Sequence, residues 1–330
     1  MGDTLLLRFL YRTAPGRVVL KVLVSPWVSK AAGRFLNSGA SRPLVPYYIA
    51  KYHIDMRGID VPENGFASFN AFFTRSRRGH KRSARPDCLI SPCDGFLSCM
   101  TIRRDTLLDV KHTKFTLQSL LQDDALAENF VNGTALIFRL TPANYHRYSY
   151  AADGSVCWNK KIPGVLHCVR PVATRTFPVF TENSREYQVI DTDRFGRMVQ
   201  MEVGALLVGK ITNDPQFDAE SIVWAGDEKG YFEFGGSTII LLFQEGILEM
   251  DSSLERRRDD DTAIVCELIF VIINIDDVCV IANVIVILAR PFDDATAGLI
   301  AAVCVDQTRP ECLFQRHACH FIDHLTDRDV

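Results

Sequence analysis

Gly230-Tyr231-Phe232-Glu233-Phe234-Gly235-Gly236-Ser237-Thr238-Ile239-Ile240-Leu241-Leu242-Phe243 is the stretch in which the chain changes character. Two glycines sit in front of a serine, and the serine opens an unbroken apolar run. The β-branched and aliphatic residues at 239–243 read as a strand. Gly235 and Gly236 allow backbone conformations that a Cβ would forbid. A permissive turn therefore leads straight into a core strand, with Ser237 at the junction.

The sequence before this junction repeats the pattern. From about residue 85 to 245, short β-rich runs such as Ala135-Leu136-Ile137-Phe138 alternate with Gly, Pro, Asn and Asp turns, and residues 115–126 form the best helix candidate within it. No internal repeat is visible. Ahead of this region, residues 4–14 and 17–24 read as short amphipathic helices broken at Pro15-Gly16, followed by Trp27, a residue suited to a water–lipid boundary. The fold class expected is α+β: N-terminal helices facing a membrane, then a mostly antiparallel β core. The domains expected are a helical membrane-associating region at 1–60, a β core at 61–253 and an atypical tail at 254–330.

With 330 residues, 47% of them hydrophobic, the chain can bury a substantial core. A net charge of -3 argues against a nucleic-acid binder. That average hides an asymmetry. Between Asp3 and Asp55 there is no acidic residue, while Arg8, Arg12, Arg17, Lys21, Lys30, Arg34, Arg42 and Lys51 all lie there among Leu, Val, Phe, Tyr and Trp. A basic, apolar N-terminus suits an anionic membrane surface; a helical cap on the protein's own core is the other reading. No stretch here has the roughly 20 uninterrupted apolar residues of a spanning helix. The 10 cysteines are scattered and follow no secretory signal, which points to a reducing, cytoplasmic compartment.

Beyond Ser253 the composition shifts. A charge block at 255–261 precedes two apolar runs at 263–275 and 278–289, split by Asp276-Asp277, which read as strands or buried helices. No Lys follows Lys229 and no Tyr follows Tyr231. A shifted reading frame is one explanation, and sequencing the coding DNA across codons 245 to 265 decides it. Cys312, His317, Cys319, His320 and His324 are metal-ligand types, but their spacing fits no zinc module, and no metal site is expected.

Four segments carry the chemistry. Ser91-Pro92-Cys93-Asp94-Gly95 is a turn presenting a carboxylate. Phe138-Arg139-Leu140-Thr141-Pro142-Ala143-Asn144-Tyr145-His146-Arg147 offers a histidine and two arginines. Met201-Glu202-Val203-Gly204-Ala205-Leu206-Leu207-Val208-Gly209-Lys210-Ile211 is the third, and Gly235-Gly236-Ser237-Thr238 the fourth. Each alone is a weak signal. In this order, together with Phe69-Asn70-Ala71-Phe72-Phe73-Thr74-Arg75 and Pro163-Gly164-Val165-Leu166-His167, they resemble phosphatidylserine decarboxylase of the bacterial class with a Gly-Gly-Ser-Thr processing site, over roughly residues 5 to 250.

The resemblance implies a self-processing enzyme of phospholipid biosynthesis. Ser237 would attack the carbonyl of Gly236, and the chain would split into residues 1–236 and 237–330, which stay associated. The new N-terminus would become a covalent pyruvoyl group, the only cofactor implied. Its ketone would form a Schiff base with the amine of phosphatidylserine and draw electrons from the bond to the departing carboxylate, leaving phosphatidylethanolamine and carbon dioxide. A serine hydroxyl needs a base, and a base needs an orienting group; His146 is the candidate base and proton donor, Asp94 the orienter. Gly235, Thr238, Arg139, Arg147 and His167 are supporting candidates, the two arginines for the lipid phosphate. The implied partner is phosphatidylserine in an anionic membrane, at the cytoplasmic face and peripherally bound, with a homodimer also allowed.

The sequence departs from the family pattern twice. Many relatives carry a second histidine three residues after the first, where this chain has Ser149, so the base role falls to His146 with His167 in reserve. Nothing after Ser253 matches the strand that usually completes the core. A processing-defective relative that only binds lipid surfaces is thus the main alternative, and a pyruvoyl decarboxylase of a soluble amino acid is another.

Overall fold

The structure, a computed structural model, describes residues 5–77, 89–103, 116–167, 179–205, 210–233, 237–248, 264–265, 284–287 and 300–303. Gly235, Gly236, the charge block at 255–261, the side chain of Trp27 and the metal-ligand types at 312–324 lie outside the described residues.

The fold is α+β, built on an antiparallel sheet. Strand β1 (Gly95–Thr101), β2 (Thr134–Leu140), β3 (Arg147–Ser149), β4 (Gly154–Ile162), β5 (Arg185–Thr192), β6 (Arg197–Val203), β7 (Ile211–Asn213), β8 (Ile222–Val223), β9 (Glu228–Phe232) and β10 (Ser237–Phe243) follow in chain order. Ile264–Val265 adds a short β11, and Val284–Ile287 pairs with Ile300–Val303 as an antiparallel hairpin. The large sheet runs β11-β1-β2-β10-β6-β5-β4-β8, and a smaller one runs β3-β9-β7. The quoted apolar run is the interior strand β10, held by β2 on one side and β6 on the other, with all its residues buried.

Period-two alternation sorts the two faces of this sheet. Ile239, Leu241 and Phe243 of β10 join Phe138 and Leu140 of β2 against Tyr148 and Phe232 of the small sheet. Ile240 and Leu242 turn the other way, with Ile137 and Val199, beneath two short helices. The single helix expected at 115–126 is in fact two, Leu117–Leu121 and Asp124–Glu128, because Gln122 takes a left-handed conformation (φ 49) and Asp123 caps the second. Leu117, Leu120, Leu121 and Leu126 supply their buried sides.

The N-terminal helices are α1 (Leu5–Arg12), α2 (Ala14–Leu23), α3 (Pro26–Leu36), α4 (Leu44–Tyr52) and α5 (Phe69–Phe73). The break between the first two falls at Thr13, not at Pro15-Gly16. Proline is tolerated in a first helical turn, where its missing N–H has no partner to lose, and Thr13 caps α2 by accepting from the Gly16 N–H at 3.1 Å. A Cβ on Gly16 would lie 2.0 Å from the Phe9 carbonyl oxygen, so the corner requires glycine. Leu10, Tyr11, Leu20 and Val24 cover Val179 and Ala205 of the β core. Phe69, Phe72 and Phe73 share a cluster with Leu36 and Tyr48, so one packed core spans the boundary drawn at residue 60.

Candidate active site

The register assembles the four sequence segments. β1 and β10 both run antiparallel to β2, so both begin where β2 ends: Phe96 faces Arg139, and Ser237 faces Leu140. β6 ends at the same level, with Val203 opposite Thr238. Asp94, the loop from Thr141 to His146, Gly204 and Ser237 therefore gather at one end of the sheet.

Ser237 is fully buried and its Oγ has no hydrogen-bond partner among the described residues. An unpaired buried hydroxyl is costly, which marks it as a group kept for something other than packing. It lies on the face shared with Leu140 and Ile239. Thr238, also buried with an unpartnered Oγ1, points to the helix-covered face, as does Arg139 directly opposite it. The Arg139 guanidinium stacks over Phe96 at 5.0 Å.

His146 is completely buried, its ring 4.0 Å from that of Phe73. Its Nδ1 is 2.9 Å from the Asn144 carbonyl oxygen. A carbonyl only accepts, so Nδ1 carries the proton and Nε2 is left with a free lone pair and no partner among the described residues. Burial, and next the positive charge of Arg75, hold the ring's pKa down at about 3. His146 is thus a neutral imidazole with its tautomer set by a backbone carbonyl. The sequence assigned that orienting task to Asp94. Asp94 instead accepts from the Tyr145 N–H at 3.3 Å and from Arg77 at 3.2 Å, so it braces the loop that carries His146 rather than the ring.

The remaining candidates are spread around this cluster. Arg147 donates to the Thr74 carbonyl at 2.8 Å and pairs with Glu228, so its guanidinium ties α5 to β9 instead of pointing at an open site. His167 is buried beside Tyr11, 3.4 Å from Glu182, with a pKa lowered by burial to about 4. Asn183 clamps its backbone with two 2.8 Å bonds and also donates to the Gly204 carbonyl at 2.7 Å. His167 therefore flanks the β5–β6 side of the cluster. Ser149, at the family's second histidine position, is buried in β3 and donates its N–H to the Pro92 carbonyl at 2.9 Å.

The sequence profile described as phosphatidylserine decarboxylase matches residues 69–260. The chain belongs to the phosphatidylserine decarboxylase family. Phosphatidylserine decarboxylase proenzyme 2 of Clostridium acetobutylicum is 43% identical over 251 residues, covering 75% of this chain and 84% of that protein. The phosphatidylserine decarboxylase proenzymes of Ruminiclostridium cellulolyticum and Fusobacterium nucleatum are 37% and 35% identical, each over 84% of its length and over 76% and 75% of this chain.

In this family member, sequence reasoning passed over two charged groups of the site. Glu202 and Lys229 are both wholly buried and joined at 2.6 Å. Glu202 stands opposite Ile239, on the same face as Ser237 and diagonal to it across the strand pair. Its Oε1 has no partner among the described residues, and burial, partly offset by Lys229, raises its pKa. The signal was a carboxylate inside the otherwise apolar run around residue 202; Lys229 had none, since its partner is 27 residues away. Among the described residues no group of His, Cys, Asp and Glu is placed to hold a metal ion.

Proposed function

We propose that this chain is a phosphatidylserine decarboxylase that matures by cutting its own backbone between Gly236 and Ser237. The observation carrying this reading is the fully buried, unpartnered hydroxyl of Ser237 at the sheet end where Asp94 and the His146 loop arrive. The hydroxyl attacks the Gly236 carbonyl, its proton passing to a base; the C–N bond breaks and an ester forms. Loss of the Ser237 Cα proton then expels the Gly236 carboxylate. The dehydroalanine left behind takes up water and releases ammonia, making the pyruvoyl group. That group supplies an electron-withdrawing carbonyl for decarboxylation, as pyridoxal phosphate does elsewhere.

The chain's own residues do the rest. His146, neutral and with Nε2 free, accepts a proton during maturation and returns one to the product carbon. Asp94 fixes the His146 loop through the Tyr145 N–H. Thr238 and Arg139 support the strand pair next to the scission point.

The substrate reading rests on the N-terminal helices. While Leu10, Tyr11 and Leu20 face the core, Phe9, Val18, Val19 and Val22 are exposed beside the exposed Arg12, Arg17 and Lys21. An apolar, basic outer surface suits peripheral docking on anionic lipid, and a soluble amino acid would not require it. Among the described residues no helix is long and apolar enough to cross a membrane.

Denaturing electrophoresis and intact mass test the proposal. The wild-type chain resolves into fragments 1–236 and 237–330, the second carrying a pyruvoyl N-terminus, and Ser237→Ala stays whole and inactive. An uncut wild-type chain that decarboxylates nothing, the behaviour of a processing-defective lipid binder, overturns it.

A further inference from the structure

Among the described residues, two arginines are buried almost completely, and they are treated in opposite ways. Arg185, 1% exposed, spends its guanidinium on carbonyls: Nε on Leu120 at 2.7 Å, Nη1 on Thr181 at 2.6 Å and Asn183 at 3.1 Å, Nη2 on Ser119 at 2.9 Å. It is a satisfied structural cation. Arg75, 5% exposed, has no partner for Nε among the described residues and reaches the Phe72 and Phe73 carbonyls only at 3.4 and 3.5 Å, the outer limit of a hydrogen bond.

No carboxylate pairs with Arg75 among the described residues. Asp94, whose charge it feels, is bonded to Arg77. The Arg75 guanidinium lies 5.0 Å from the ring of Phe72 and 5.9 Å from that of Tyr145, which makes its surroundings aromatic and poorly hydrated. Its position is not loose. Arg147 holds the Thr74 and Arg75 carbonyls at 2.8 and 3.3 Å, anchoring this stretch of backbone to the residue that follows His146. A buried, anchored guanidinium with no carboxylate paired to it among the described residues is an expensive arrangement unless an anion arrives to complete it.

We propose that Arg75 is the binding residue for a phosphate oxyanion, the phosphodiester of the lipid head group, presented beside the His146 loop. This rests on the decarboxylase reading above. Phosphatidylserine carries two anions, and the chemistry separates them. Its carboxylate leaves as neutral carbon dioxide, so an arginine clamped on it would stabilise the reactant more than the transition state and oppose the reaction. The phosphodiester keeps its charge throughout, and a guanidinium that binds it holds substrate without resisting the chemistry. The planar N–H donors of arginine match phosphate oxygens. Arg139 and Arg147, the sequence candidates, are committed to Phe96 and to Glu228 respectively.

The test compares Arg75→Met and Arg75→Lys with wild type on dihexanoyl phosphatidylserine and on O-octyl serine, which has the amine and carboxylate but no phosphate. Arg75→Met is expected to lower kcat/KM for the phospholipid by about 10- to 100-fold, with partial recovery in Arg75→Lys and a much smaller change on O-octyl serine. Inhibition by dihexanoyl phosphatidylethanolamine, which has phosphate but no carboxylate, weakens by the same factor. Equal losses on both substrates, or unchanged inhibition, overturn the assignment. Thermal stabilisation of the uncut Ser237→Ala chain by dihexanoyl phosphatidylethanolamine, lost in Ser237→Ala/Arg75→Met, checks the site without any turnover. It therefore decides on Arg75 even if wild type never cleaves, the result that would sink the maturation reading alone. Stabilisation by inorganic phosphate with none from the phospholipid would assign the site to a free anion and refute the head-group role.

Discussion

His146 shows how one residue acquires its chemistry from its surroundings. The ring is held neutral because charging it would place a cation in a buried pocket next to Arg75, and its pKa falls from 6.5 to about 3. His167, lowered to about 4, behaves alike. Both groups bind protons more readily in the unfolded chain, so their linkage to folding is favourable above about pH 6.5 and is lost as the pH falls toward their folded values. The urea midpoint is expected to drop between pH 7 and pH 4.5, and to drop less in His146→Gln; an identical pH dependence in the variant would show that the histidine titrates normally. The importance of His146 was legible in the sequence, as the histidine of a recognisable segment. The identity of its orienting group was not, because the Asn144 carbonyl is a backbone atom whose aim depends on the turn formed by Thr141 and Asn144.

Strands β10, β6 and β9 carry the element-scale features. The apolar run at 239–243 announced a strand, and pairing with β2 and β6 puts it in the interior of the sheet. What the run did not announce is the ion pair beneath it. Lys229 on β9 reaches across from the small sheet to Glu202 on β6. Removing one member of such a pair leaves an uncompensated buried charge, so Lys229→Met is expected to destabilise the fold by about 3–5 kcal/mol. Adding Glu202→Gln removes the stranded charge and recovers much of that loss. Chemical denaturation of the two single variants and the double variant measures the coupling, and strictly additive losses would mean the pair contributes nothing to holding the two sheets together. Leu241→Ala in the same core, wholly buried among aliphatic neighbours, is expected to cost about 2–5 kcal/mol in that assay, without such coupling to Lys229.

At the level of the whole molecule, the N-terminal helices cap the protein's own core, one of the two readings that composition left open, and carry the surface proposed here to meet lipid. Their inner side seals Val179 and Ala205, and their outer side is apolar and basic. Deleting them would uncover the core, so point changes are the cleaner probe. Val18→Asp/Val22→Asp is expected to leave the unfolding midpoint within a few degrees of wild type while weakening sedimentation with vesicles containing phosphatidylserine; undiminished sedimentation would mean that this surface does not meet the bilayer. Local pattern was enough to establish the α+β class, the strand after Ser237, the basic apolar N-terminus and the family, because each is written in side-chain periodicity or in residues that stand next to one another. The meeting of Asp94, His146, Gly204 and Ser237, the Glu202–Lys229 pair and the burial of Arg75 with no carboxylate paired to it among the described residues were decided only by the tertiary structure. Strand register determines which distant residues share an end and a face of a sheet, and burial then determines which of their charges and hydroxyls are left without a partner.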